Sequence, residues 1–478
     1  MPENCAQTFL SAFYADQQPD MTCIDRLCSL ALSPDVLIAK QAVLALYGSI
    51  VEGLCDDFSS QGVTLCNNVL LRIIAYLHDA GKTGTWARTL GIGSPGWEEK
   101  LLCRYEELIR QGRMALRSPP QKIIVLSRVT IGADVMITSI LIQRLRFAFP
   151  KAEIVLVGPY HMGALLLLDD HVKSRLFPYE RNCSLLERFE ATRRLVQLVQ
   201  EECRDIDFSR VLLVDPDSRL SQLGLIPLLP VEQCRYFCSR MEMEDREEAS
   251  LVEISNNWLN QWLTSGRCSS YPKIWLAEEN LGLARRFMDS IRGGNKSVLL
   301  INLGVGRDEN KRIPPPFEEE LLLTLLGQPD LVVVLDSGYS PAGLARAQNL
   351  MKRASQKGHL VDFVREEDIQ RFRPEGASHL IGMRCSIGMI GALIAEADCF
   401  FGYDSCCQHL ANALGVPTVV VFSGYRRERF LERWRPRNPK GNISIISCRH
   451  NGEMDLQQCD NLVEKVARTL LSRCHGIG

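Results

Sequence analysis

No unbroken run of apolar residues in this chain approaches the ~18–20 needed to cross a bilayer, so a spanning helix is not expected. Net charge is nearly absent, about −2, with 55 Lys and Arg against 57 Asp and Glu. No global field therefore draws the chain to nucleic acid or to an anionic surface, and no nucleic-acid partner is expected. The opening residues, MPENCAQTFLSAFYADQQPD, contain acid and no Lys or Arg, unlike the basic n-region of a secretory signal. The expectation is a cytoplasmic protein, at most peripheral to the inner membrane. Paired C-x2-C ligand sets are missing too, which argues against a zinc cluster.

What is present is cysteine, eighteen in 478 residues. A chain of that length splits into two or three domains and buries a core without staples. The cysteines are scattered from Cys5 to Cys474, many in apolar company such as Cys234, Cys238 and Cys399. Such thiols are expected to be buried and reduced. The adjacent pair Cys406-Cys407 stands apart from that pattern.

Residues 1–115 show apolar spacing of three to four, as in Ser33–Val51 and Leu65–Ala80, and predict an all-helical N-terminal domain. Ser33-Pro34 suits an N-cap and first helical position. Gly91–Trp97 breaks the pattern and Ser118-Pro119-Pro120 ends it. Strands alternate with helices beyond Gln121: Lys122–Ser127, a helix to Phe149, Glu153–Val157, the helix Ser184–Cys203, Val211–Val214 and Cys234–Cys238. A second alternating set holds strands at Val298–Asn302, Leu331–Leu335, His359–Val364, Cys399–Gly402, Thr418–Phe422 and Ile443–Ile446. Strand–helix–strand units demand parallel pairing with right-handed crossovers. The fold class is α/β: a helical domain over 1–115, then two Rossmann-like parallel-sheet lobes over 116–275 and 276–478. Lobes of this kind face a cleft, and their ligands bind outside the carboxyl ends of the strands.

Four constellations carry possible chemistry. In Ser127–Asp134 a strand turns at Gly132 into a helix, and Asp134 either accepts a proton from a hydroxyl or complements the helix dipole. In Phe400–Thr418 a strand, a loop with Asp404 and Ser405, a short helix and Gly415 follow in order. Unpaired amides at such a helix start bind pyrophosphate, and His409 either donates to the ligand or packs in the core. In Asn302–Pro314, Gly304 and Gly306 permit close backbone approach, and Lys311 or Arg312 offers charge to a phosphate. This loop lacks both the G-x-G-x-x-G spacing and the G-K-[ST] of a P-loop. Finally, Arg426–Lys440 packs seven cations into fifteen residues, either a solvated face or an anion site.

Taken in order, these motifs resemble glycosyltransferase family nine, the heptosyltransferases of lipopolysaccharide core assembly. Gly132-Ala133-Asp134 and Phe149-Pro150-Lys151-Ala152-Glu153-Ile154 parallel the family's opening motifs. Asp404 to Thr418 parallels its "Asp-Thr/Ser-Gly-x-x-His-Leu-Ala-x-Ala-Leu-Gly-Val-Pro-Thr" signature, and Ser386–Ala397 its preceding helix. The resemblance covers about 120–440. It implies a GT-B architecture without cofactor or metal, and transfer of a sugar from a nucleotide-diphosphate donor, ADP-heptose-like, to a glycan, lipid-linked or protein acceptor. By the same analogy Asp134 is the general base of an inverting displacement. Gly304, Gly306, Lys311, Arg312, Ser386, Asp404, Ser405, Cys406 and His409 hold the donor, and Arg128, Thr130 and Gly132 lie on the acceptor side. The chain departs from the pattern by an extra Ala133, by Cys406 in place of a glycine, and by residues 1–115. Two other readings are an epimerase or hydrolase acting on the donor alone, and a binding protein without catalysis.

Overall fold

The computed structural model describes residues 1–84, 87, 91–180, 183–241, 249–263, 266, 268–293, 296–306, 308–374, 379–450 and 452–474. Two parallel sheets dominate. The first contains β1 (Lys122–Leu126), β2 (Glu153–Gly158), β3 (Val172–Leu176), β4 (Val211–Asp215) and β5 (Cys234–Tyr236), in the order β3-β2-β1-β4-β5. The second contains β6 (Ser297–Asn302), β7 (Leu331–Asp336), β8 (Val361–Arg365), β9 (Leu380–Arg384), β10 (Cys399–Tyr403), β11 (Thr418–Phe422) and β12 (Ile443–Ser447). Its order is β12-β11-β10-β6-β7-β9-β8. This is the expected α/β class with two Rossmann-like sheets.

Central strands such as β1, β7 and β11 are buried along almost their whole length. That is why they read as unbroken apolar runs and could be located from sequence. The strands β3 and β9 were not anticipated. β3 is an edge strand whose Lys173, Ser174, Arg175 and Leu176 are exposed, so its composition follows the need to blunt an edge. β9, LIGMR, is short and buried, and its apolar stretch is too brief for periodicity to register.

The chain divides into two compact units. One comprises Met1–Val129, Leu141–Gly163 and Asp169–Ser269; the other comprises Thr130–Ile140, Ala164–Leu168 and Ser270–Gly478. Two corrections to the expected division follow. First, residues 1–115 are not a domain apart. Ile24, Leu46, Ile73 and Leu101 of the helical segment share one continuous core with Ile124, Leu126, Val157 and Leu213 of the first sheet. Arg188, on the helix Leu185–Glu202, lies 4.2 Å from the Tyr47 ring centroid, and the Arg219 guanidinium pairs with Glu52. Second, Thr130–Ile140 clusters with the second unit rather than with the sheet it follows. There the backbone amide of Lys273 donates to Ser139 Oγ at 3.1 Å, and that of Trp275 to Leu165 O at 2.8 Å.

Three local expectations change as well. The cap at the start of Val36–Val43 is Asp35, which accepts from the amides of Leu37 and Ile38, not Ser33; Pro34 disfavours helical backbone at the residue before it. The stretch Val36–Cys55 is long and apolar enough by length and composition to cross a membrane, although Lys40 and Gln41 interrupt its apolar run. Its Ala45, Leu46, Ile50 and Leu54 lie in the core of the first unit, where it packs against the helices Pro2–Tyr14 and Thr22–Ala31. Cys5 and Cys23 form a disulfide across those two helices, their Cα atoms 6.2 Å apart; the other sixteen cysteines are unbonded. Eighteen residues of sequence separation hid that proximity.

Candidate functional site

In the second sheet the chain runs outward from β6 to β7 and on to the edge strand β8, inserts β9 between those two, then returns to lay β10, β11 and β12 on the other side of β6. The direction reverses between β6 and β10, and such a switch point leaves a crevice outside the carboxyl ends of the two strands. Asn302 ends β6, and Asp404 follows β10. Asp336 ends β7, and Asn302 Nδ2 donates to its Oδ2 at 2.7 Å. Burial holds the Asp336 carboxyl above its usual range. These side chains were accessible from the rule that ligands sit at strand carboxyl ends, yet Asn302 and Asp336 carry no motif of their own.

The helix Cys406–Leu414 starts at this crevice. Its N-cap, Ser405, makes no side-chain capping bond, and its Oγ instead lies 3.5 Å from Asn302 Oδ1. The first-turn amides are thus without a capping side chain, the arrangement that accepts an anion. Gly415 closes the helix in the left-handed conformation at φ 69°, as its sequence position implies.

Lys311 reaches the same place. Its Nζ lies 2.5 Å from Asp404 Oδ2 and 4.9 Å from the Phe430 ring centroid. The loop carrying it is held from behind, where Ser423 Oγ donates to Lys311 O at 2.5 Å. Gly306 has φ 68° with open space around it, a backbone that L side chains rarely take, and Gly304 donates its amide to Asn302 Oδ1 at 3.1 Å. Arg307 lies outside the described residues. Arg312, expected beside Lys311, turns away into a polar cluster. It donates to Leu303 O at 2.9 Å and to Glu318 Oε1 at 2.6 Å, and its Nε donates to Glu309 at 2.8 Å. Its guanidinium fastens the loop. Ser386 is likewise engaged: it caps Ile387–Ala395 and donates through Oγ to Glu366 Oε1 at 2.9 Å.

Asp134 belongs to this unit. The helical segment Ile131–Ala133 and the π-helical turn Asp134–Thr138 pack against Cys406–Leu414. Gly132 makes the approach possible, because a Cβ there would lie 2.7 Å from His409 Cδ2 and 3.7 Å from Cys406 Cα. Asp134 is fully buried and accepts a hydrogen bond from Thr138 Oγ1 at 2.7 Å. Thr130 is the N-cap of the segment, with extended backbone and no side-chain capping bond. Single π turns inside helices recur at functional sites. Just before it, Val129 has φ 63°, a strained conformation for a β-branched residue.

Arg128, expected with Thr130 and Gly132, stays in the other unit. Its Nη1 donates to Pro216 O at 3.0 Å and also bonds Ser239 Oγ. It lies 3.7 Å from Asp217 Oδ2. Asp217, fully buried and at φ 66°, also accepts from Arg240 Nε at 2.9 Å, Ser239 Oγ at 2.9 Å and Tyr236 OH at 2.5 Å. This network occupies the switch point of the first sheet, between β1 and β4.

The family comparison falls in the second unit. Residues 348–461 match the profile of glycosyltransferase family 9 (heptosyltransferase). That segment, which holds Asp404 and the helix Cys406–Leu414, is similar to glycosyltransferase family 9. The family 9 protein of Veillonella parvula DSM 2008 shares the fold at a TM-score of 0.54 and 16% identity, over 75% of this chain and 99% of that one. The ADP-heptose lipopolysaccharide heptosyltransferase II of E. coli aligns at a TM-score of 0.49 and 17% identity, over 73% of this chain and 99% of its own. The heptosyltransferase WaaC of E. coli with ADP gives 0.48 and 12%, with the same coverage. No curated protein sequence matches the chain.

Within the matched segment, His409 packs into the crevice. It is buried, its Nε2 lies 3.9 Å from Asp404 Oδ1, and its ring centroid is 5.7 Å from that of Trp434. Gln408, also buried and missed from sequence, places Nε2 2.9 Å from the ring nitrogens. Burial pushes the imidazole down to about 4; Asp404 opposes that shift and Lys311 adds to it. The folded value lies below the ordinary 6.5, so as pH falls the unfolded chain takes the proton first. Stability from this residue is therefore intact above pH 6.5 and lost as pH falls toward 4, at about 1.4 kcal/mol per unit crossed. A His409→Gln variant should show a flatter dependence of unfolding free energy on pH across that window. Parallel profiles for the two proteins would mean that His409 titrates normally.

The basic run is neither uniformly solvated nor wholly turned inward. Arg426 and Arg427 are exposed while Arg433 is buried. The helix Glu428–Trp434 lays Phe430 beside Lys311 and Trp434 beside His409. Spacing alone could not separate the apolar pair from the cations around it.

Proposed function

We propose that this protein is an inverting glycosyltransferase that transfers a heptose-like sugar from an ADP-linked donor to a glycan, lipid-linked or protein acceptor. The observation that carries the reading is the uncapped start of Cys406–Leu414 at the switch point, with Lys311 at its mouth and the Gly132–Asp134 turn packed on it. The donor's diphosphate takes the first-turn amides and draws Lys311 from Asp404. The neutral His409 donates to a phosphate or sugar oxygen.

In the reaction an acceptor oxygen forms a bond to the anomeric carbon as the bond from that carbon to the diphosphate breaks. The proton passes to the Asp134 carboxylate, and the nucleoside diphosphate leaves with its added charge met by Lys311 and the helix amides. No metal takes part in this scheme. The setting proposed is cytoplasmic, with the Cys5–Cys23 disulfide beside sixteen unbonded cysteines, and an acceptor linked to lipid would bring the protein to the inner-membrane surface. The reading requires that acceptor binding uncover Asp134, which is shut from solvent. That burial favours a second reading, a nucleotide-sugar-binding protein without transfer.

A thermal-shift panel of nucleotide sugars tests the donor. A ligand at about 100 times its Kd adds about 2.7 kcal/mol, so an ADP-sugar should raise the transition of the second unit above UDP- and GDP-sugars. A clear preference for a UDP-sugar would refute the assignment of the donor.

A further inference from the structure

Two neighbouring thiols, Cys406 and Cys407, open the helix at the crevice, and the transfer scheme does not use their sulfurs. The Sγ atoms lie 3.9 Å apart. Cys407 is buried, 4.0 Å from Asp336 Oδ2, while Cys406 is half-buried. Two other close thiol pairs, Cys55 with Cys66 and Cys399 with Cys474, are buried on both sides. Of these three pairs, only the Cys406 pair includes a residue that is not fully buried.

Geometry decides what such a pair can hold. A structural zinc ion takes four ligands, and no group of three or more His, Cys, Asp or Glu among the described residues could share an ion. A disulfide requires sulfurs ~2.05 Å apart and Cα atoms usually ~5.5–6 Å apart, whereas neighbours along the chain have Cα atoms ~3.8 Å apart. Closing that bond would break the first helical turn. Sulfurs at 3.9 Å on one turn instead suit a single soft centre that bridges them through longer bonds.

We propose that Cys406 and Cys407 form a dithiol site for one thiophilic centre that takes two thiolates, with a trivalent organoarsenical as the representative ligand class. With such an arsenical oxide, two As–S bonds form while two S–H bonds and the As–O bond break. The oxygen leaves as water, arsenic remains trivalent, and no oxidant is needed. Cys406 reacts first, as the less buried of the two residues. The hydrogen bond from Cys407 holds the Cys406 thiol below its ordinary value, and the helix start favours a thiolate. Cys407, held well above the usual range by the same contact and by burial, closes the bridge. The centre then covers the amides that the proposed function gives to the diphosphate. That consequence rests on the donor reading; the bridge itself does not.

The test uses the full chain, unmodified, with one equivalent of phenylarsine oxide. One adduct per chain is expected, formed with loss of water. Peptide mapping should show Cys406 and Cys407 both protected from alkylation. The adduct should survive an excess of monothiol, which displaces single As–S bonds, and be removed by a dithiol such as dimercaptopropanol. A Cys407→Ser variant should give an adduct that monothiol strips. Affinity for the ADP-sugar, read by thermal shift, should fall about tenfold or more and return with the dithiol. Labelling at other cysteines, or an adduct on the unmodified chain that monothiol removes, overturns the site. A stable bridge that leaves ADP-sugar binding unchanged supports the dithiol site and counts against the donor placement.

Discussion

Asp134→Asn should lower the rate of sugar transfer by roughly 10²–10⁴-fold, the contribution typical of a positioned general base, while the donor Kd stays within about twofold. Asparagine is close to isosteric, and its carbonyl can still accept the bond that Thr138 Oγ1 gives to Asp134. Loss of one charged acceptor in exchange for a neutral one costs about 1 kcal/mol of stability, far too little to unfold a unit of this size. The comparison of kcat/KM with donor affinity therefore separates base from scaffold. Transfer retained at a tenth of the unmodified rate or better would make Asp134 a structural residue that braces the π-helical turn. Stabilisation by ADP-sugar with no transfer by either protein would favour binding without catalysis.

The largest effect on stability is expected from Asp217→Ala. Its carboxylate and the Arg240 guanidinium are 0% and 1% exposed, so removing the acid leaves Arg240 buried with its charge uncompensated. Breaking such a pair costs about 3–5 kcal/mol. Burial alone would raise the Asp217 carboxyl, but Arg240 and Arg128 outweigh it and hold the group below its ordinary range. This stabilisation is thus present above pH ~4 and lost in acid. For a unit of a couple of hundred residues the expected fall in Tm is roughly 6–15 °C, followed through Trp97, Trp258 and Trp262 of the same unit. A loss below about 1 kcal/mol would mean that Arg240 finds another partner or reaches water. The double variant Asp217→Leu, Arg240→Met should recover part of the loss, because a buried pair is replaced more cheaply than it is broken.

Much of the fold was legible because its strands are buried on both faces. In β6, β7 and β11 burial on both faces keeps the inner positions apolar, with polar residues only at the strand ends, so the strand shows as a run rather than an alternation. β3 was invisible for the converse reason, since its exposed edge carries charge such as Lys173 and Arg175, which blunts further pairing. The unity of residues 1–115 with the first sheet was also hidden. Helical periodicity marks an apolar face but does not name the face that covers it.

The candidate site divides in the same way. Asp404, Ser405, Gly415 and Lys311 could be picked out because caps, helix ends and glycine loops are local constraints, written within a few residues. Arg312 and Arg128 looked equivalent to Lys311 as cations. Only their surroundings distinguish them: Glu318 and Glu309 hold one guanidinium, and Asp217 and Ser239 hold the other. Asn302, Asp336 and Gln408 owe their place to strand adjacency and burial rather than to any motif.

The sequence by itself determined the alternation of strand and helix, the parallel pairing it requires, and the turn chemistry at Gly132, Asp404 and Gly415, since each depends on interactions within a few residues. Tertiary structure alone decided that Thr130–Ile140 joins the second unit, that Gly132 lies against His409, and that Cys407 faces Asp336. Those contacts span from about seventy to nearly three hundred residues, and at such separations the pairing energy comes from packing and desolvation, which no local pattern records.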